Sequence, residues 1–143
     1  MLGVVLLGAT ACGTERATNS PARRPGEPRM IEVAMEDIRF EPTTLSVAHG
    51  ETIRFRFTNN GSIPHDAFLG DAAAQSEHEH DMATAATMTG MDPHAGHMGL
   101  GVTVDPGDTQ TITYTFDDAG AIEIGCHQPG HYVAGMTIKI DVH

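Results

Sequence analysis

Runs of residues that alternate between apolar and polar constrain this chain more than any other feature. Ile31, Val33 and Met35 take every second position; Ile53, Phe55 and Phe57 alternate with Arg54, Arg56 and Thr58; Ile112, Tyr114 and Phe116 alternate with threonines; and Ile138, Ile140 and Val142 alternate with Lys139 and Asp141. In an extended chain, successive side chains point to opposite faces, so a period of two puts each apolar set on one face. Each run therefore reads as a half-buried strand. Turn-forming clusters separate the runs: His49-Gly50-Glu51, Asn59-Asn60-Gly61, Asp105-Pro106-Gly107-Asp108 and Asp117-Asp118-Ala119-Gly120. No long helical stripe is present. Short strands at this spacing predict an all-β sandwich or barrel, and 143 residues suit one domain. Aromatic residues make up 5% and Trp is absent, so the core is of an aliphatic, strand-favouring type.

The alternation begins only at Met30. Before it, residues 13–29 are polar and rich in Pro, Arg and Gly, which reads as a flexible tether. Residues 1–12 are apolar and end in Cys12, preceded by small residues. They resemble a bacterial lipobox, which implies export and lipidation of Cys12. The apolar run is too short to span a bilayer as a helix, so any membrane attachment is expected through the lipid alone. The domain proper is then residues 30–143. Net charge is −11 overall. Four arginines against two glutamates make the first 29 residues +2, leaving −13 on the rest. Nucleic acid is excluded as a partner on that ground; a basic protein partner or an affinity for cations is expected.

Residues 71–101 interrupt the strand pattern. They contain five acidic residues and no Lys or Arg, with His78, His80, His94 and His97 among Met82, Met88, Met91 and Met98. A stretch of this length inside a compact domain is usually functional or disordered. It reads as an insertion between two strands, with short helical turns. Thioethers bind Cu(I), and imidazoles with carboxylates bind Cu(II). These eight residues are accordingly candidates for a second, weaker and flexible copper site, with His94-Ala95-Gly96-His97-Met98 the densest cluster.

The most specific chemical signal lies near the C-terminus, where Cys126, His131 and Met136 follow the spacing Cys-x4-His-x4-Met. His65 lies about sixty residues earlier, in Ile63-Pro64-His65-Asp66, which reads as a loop. A thiolate and two imidazoles form a roughly trigonal set, and a distant thioether adds a weak axial contact; that combination is diagnostic of blue copper. Pro129-Gly130 can turn the chain so that Cys126 and His131 converge, and Gly135 lets it bend before Met136 opens the last strand. The metal ligands expected are His65, Cys126, His131 and Met136, holding one type 1 copper that cycles between Cu(I) and Cu(II).

Gly125-Cys126-His127-Gln128-Pro129-Gly130-His131 followed by Gly135-Met136, with the upstream Pro64-His65, resembles the cupredoxins over residues 30–143 apart from the insertion. The loop spacing is most similar to rusticyanin and sulfocyanin. The resemblance implies a Greek-key β-sandwich and a single-electron carrier in the bacterial cell envelope rather than an enzyme. It also implies that His131 is the partly exposed ligand through which electrons pass to redox partners, with Pro129, Tyr132 and Val133 around it as docking candidates. Cupredoxins often carry Asn after the first His, where it braces the ligand loops; here Asp66 stands there and adds a charge. A binuclear centre would need a second Cys in the loop. A multicopper oxidase would have His before the Cys, where this chain has Gly125. His127 is expected to face solvent. The insertion supports an alternative role in copper capture, delivery or tolerance.

Overall fold

A computed structural model of the chain describes residues 26–88, 90 and 100–143. The expectations placed on Cys12, Met91, His94, His97 and Met98, and on the tether as far as residue 25, lie outside the described residues. The elements in chain order are β1 (Arg29–Glu36), β2 (Arg39–Glu41), β3 (Thr44–Val47), β4 (Thr52–Asn59), β5 (His65–Gly70), α1 (Ala72–Ala85), β6 (Gly101–Val104), β7 (Thr109–Thr115), β8 (Ala121–Gly125) and β9 (Thr137–Val142). They form two sheets, ordered β2-β1-β4-β7 and β3-β9-β8-β5-β6. The chain passes repeatedly from one sheet to the other, and the pairs β1/β4 and β3/β9 are parallel. This is the Greek-key β-sandwich expected from the resemblance.

The alternating runs become strands for the reason their pattern gives. In β4, Ile53, Phe55 and Phe57 are buried while Arg54 and Arg56 are exposed. Beside them in the same sheet lie Ile31, Val33 and Met35 of β1, and the opposite sheet contributes Ile124 of β8 and Ile138 and Ile140 of β9 to the same core. Phe55 sits at the centre of an aromatic group, stacked on Phe57 at 6.1 Å and edge-on to Phe116 at 6.3 Å. Such contacts add to area burial in stabilising this side of the core.

Two elements differ from the sequence expectation. His65 is not on a loop but opens β5, which is buried from His65 to Leu69 without alternation. Both faces of this strand are covered. Ala67 and Leu69 join the core, whereas Asp66 and Phe68 face α1. The second difference is α1 itself, a 14-residue helix capped by Asp71, whose side chain accepts from the Ala74 N–H at 2.9 Å. Only short turns were expected there. The residues α1 buries are Gln75 and His78, so it presents no apolar stripe to be read.

Asn59 fixes the connection that delivers His65. Its Nδ2 donates to the carbonyls of Ile63 (2.8 Å) and Val104 (2.9 Å), and its Oδ1 accepts from the Gly61 N–H at 2.9 Å. It is fully buried at the end of β4. Asn59→Ala strands those buried backbone groups, and a loss of about 1–3 kcal/mol in urea-unfolding stability is expected.

Candidate metal centre

β8 and β9 are antiparallel neighbours, with Gly125 opposite Thr137. The loop between them therefore leaves and returns at one place, with Cys126 directly after β8 and Met136 directly before β9. Its own hydrogen bonds close it. The Cys126 N–H donates to the Met136 carbonyl (3.1 Å), the Met136 N–H to the His131 carbonyl (3.1 Å), and the His131 N–H to the Gln128 carbonyl (2.9 Å). Gly135 takes φ 91°, a left-handed conformation that L side chains rarely adopt. β5 lies beside β8, with Phe68 opposite Gly125, and carries His65 to the same end.

Cys126 Sγ lies 3.4 Å from His131 Nδ1 and 3.8 Å from His65 Nδ1. The three donor atoms lie within 4.8 Å of one another, and the two imidazole rings are 5.2 Å apart. Cys126, His65 and Met136 are wholly buried, while His131 keeps 8% of its surface exposed. Burial, and secondarily the neighbouring His131, hold His65 below the ordinary imidazole range, so its ring is neutral and its lone pair available. Burial pushes the Cys126 thiol up to about 12. The donors are a soft sulfur and two imidazole nitrogens converging in a dry pocket, with a thioether residue closing the loop. They fit copper.

Asp66 links the two ligand segments to each other and to α1. Its backbone N–H donates to Cys126 Sγ at 3.3 Å, and its Oδ2 accepts from the His127 N–H at 3.3 Å and faces His78 Nε2 at 3.1 Å. His127 corrects the expectation of a solvent-facing residue: it is 2% exposed. Its Nε2 meets Gln75 Oε1 at 2.6 Å, its Nδ1 pairs with Glu79, and its ring stacks on Tyr132 at 4.5 Å. Solvent is kept out because α1 lies over the loop. His78 also departs from its expected role. It is fully buried, stacked on Phe68 at 4.1 Å and paired with Asp66, so it belongs to that linkage rather than to a flexible loop site. His80 and Met88 remain exposed on or just beyond α1, and Met82 is half-buried.

The model of the copper-binding proteins of the plastocyanin/azurin family matches residues 29–143. The chain belongs to that family. It binds copper in a type 1 site and is a cupredoxin in fold. It is similar to proteins named copper-resistant cuproprotein CopI. With that of Pseudomonas aeruginosa it shares 35% identity, over 96% of this chain and 91% of the relative. With that of Rubrivivax gelatinosus it shares 37%, over 87% and 74%. Among solved structures, auracyanin of Roseiflexus castenholzii superposes with TM-score 0.69 at 22% identity, over 82% of this chain and 99% of that one. Auracyanin A of Chloroflexus aurantiacus gives 0.66 at 25% identity, over 82% and 100%.

Gln75, Glu79 and the inward-facing His127 also surround the metal centre, and sequence reasoning missed them. The one available signal was spacing, since Gln75, His78 and Glu79 share one helical face at i, i+3 and i+4. A thiol held at about 12 is neutral at pH 7, and metal binding needs the thiolate. Copper uptake should therefore release close to one proton per copper from Cys126, and apparent affinity should rise about tenfold per pH unit around neutrality. A chelator competition run across pH, with proton release read by an indicator dye, measures both.

Proposed function

We propose that this cupredoxin carries single electrons on a copper ion held by His65, Cys126, His131 and Met136. The observation that carries the reading is the convergence of both imidazole Nδ1 atoms on the buried Cys126 thiol. The donors stand on adjoining strands and on a loop closed by its own backbone hydrogen bonds. Copper in such a set supplies a one-electron couple. The chain's contribution is to keep the donors in one arrangement for both oxidation states, which lowers the reorganisation barrier, and to exclude water. His131 is the more exposed of the two imidazoles. Beside it are the exposed Pro129 and Val133, the latter 82% exposed, which favours this end as the docking face for redox partners. Tyr132 turns inward to His127 and Glu123 instead. The acidic body favours basic partner proteins. Export to the cell envelope, with Cys12 as a lipid anchor, completes the reading; no helix among the described residues is long and apolar enough to cross a membrane.

Cu(II) added to the metal-free protein should produce an intense visible thiolate-to-copper band, and its absence would sink the proposal. Cys126→Ser should abolish the band. Met136→Leu should keep it and shift the reduction potential, because the axial ligand tunes that potential. Electron self-exchange, read from NMR line broadening in mixtures of the oxidised and reduced protein, should be fast in the wild type.

A second reading, copper tolerance, is favoured by the relatives' name at 35% and 37% identity and by the His/Met content of the insertion. Copper equivalents bound should fall when His80, Met82, Met88, Met91, His94, His97 and Met98 are replaced together, with the visible band retained. Unchanged stoichiometry for both Cu(I) and Cu(II) removes the insertion as a second site. Growth in copper of a strain lacking the gene, complemented with each variant, tests whether tolerance follows the blue site or the insertion.

A further inference from the structure

We propose that Gln75 and His127 are positioning residues for the copper site: α1 grips the ring of His127 and thereby sets the residues that hold and hydrogen-bond the Cys126 sulfur. The inference rests on the copper assignment above.

Helices ordinarily dock through an apolar stripe. α1 buries Gln75 and His78 instead, and buried polar groups are costly unless satisfied. Gln75 is satisfied in a way that points at the metal centre. Its Nε2 faces three carbonyls, those of Phe68 (3.2 Å), Gly70 (3.3 Å) and Glu123 (2.8 Å). Those acceptors fix the amide orientation, which leaves Oε1 to receive the His127 Nε2–H at 2.6 Å. Glu79 holds the opposite ring nitrogen, and Tyr132 covers one ring face at an interplanar angle of 23°. The ring can neither rotate in its plane nor tilt.

His127 is covalently joined to Cys126. Its N–H donates to Asp66 Oδ2, and the Asp66 N–H donates to Cys126 Sγ. Hydrogen bonding at the Cys sulfur is one of the features that tune a blue-copper potential. A short connected path therefore runs from the helix to the ligand atom. Gly125 gives an independent sign of how closely this path is packed. A Cβ there would lie 2.8 Å from Gln75 Oε1 and 2.8 Å from the Tyr132 ring. The residue before Cys126 is bare because these two side chains occupy the space beside it.

The test compares Gln75→Leu, Gln75→Glu and His127→Phe in the copper-loaded full chain. Gln75→Leu removes both functions of the amide. Gln75→Glu keeps an oxygen for His127 but loses the donors to the three carbonyls. His127→Phe keeps a ring on Tyr132 and cuts the grip, so it tests the idea even if Gln75→Leu folds poorly. Gln75→Leu and His127→Phe should each shift the charge-transfer band and the reduction potential and weaken copper binding about 10- to 100-fold. The double variant should be no worse than either single one, since both cut the same path. Gln75→Glu should lose stability and shift the band as well, since a carboxylate cannot donate to the three carbonyls that orient the group. A merely structural Gln75 predicts lower stability for both Gln75 variants and unchanged spectra, potentials and affinity. That result, or fully additive effects in the double variant, overturns the proposal. A wild-type protein without the visible band would instead remove the copper assignment beneath it.

Discussion

The pairing of β5 with β8 sets everything else at the metal end. Phe68 lies opposite Gly125 and Leu69 opposite Ile124, which brings His65-Asp66 alongside Cys126-His127. Strand side chains alternate, so a slip of one residue would exchange the faces of β5. His65 would leave the thiol and Asp66 would enter the core as a bare carboxylate. In the observed register, one residue supplies an imidazole to the sulfur from inside. The next supplies a backbone N–H to that sulfur and a carboxylate to the helix side.

That register creates an unusual requirement. Asp66, Gln75, His78 and His127 are all nearly or wholly excluded from water, in a layer between α1 and the sheet. A network of this kind stabilises and specifies the fold when its members are matched, and is worse than an apolar interface when they are not. Here His78 faces Asp66, Gln75 serves three carbonyls and one imidazole, and Glu79 serves the other side of that imidazole. The layer is also packed with rings. Phe68 stacks on His78, which stands edge-on to His127, which stacks on Tyr132. An apolar helix face would have held the helix equally well. It would not have held the loop in a direction-specific way.

The sandwich was legible because most of its strands bury one face only. Ile53-Arg54-Phe55-Arg56-Phe57 states its own orientation. β5 was not legible, because a helix covers its outer face and His65, Asp66, Ala67, Phe68 and Leu69 are all buried. The metal donors were legible from residue chemistry and spacing, since a loop between two adjacent strand ends can reach only so far. His127 was misread because its neighbours Gln128, Pro129 and Gly130 describe an exposed turn, and nothing local tells that a segment some fifty residues earlier covers it. α1 was missed for a related reason: its docking residues, Gln75 and His78, belong to a composition that otherwise reads as solvated. Hydrophobic periodicity detects interfaces made by apolar side chains and is blind to interfaces made by polar ones.

The insertion leaves β5 at Gly70 and rejoins it at once. The Leu69 N–H donates to the Leu100 carbonyl at 2.8 Å, and Gly101 pairs with Phe68. Departure and return are thus fixed side by side on one strand, and α1 is bound to the sheet before the chain goes further. A segment whose ends are already held together can change length at little thermodynamic cost, since each doubling adds only about 0.6 kcal/mol of closure entropy. Descendants of this gene can therefore lengthen, shorten or rewrite the stretch after α1, gaining or losing histidines and methionines, without a compensating change around Cys126. The domain is built so that the chemistry of the stretch after α1 and the chemistry around Cys126 can evolve separately.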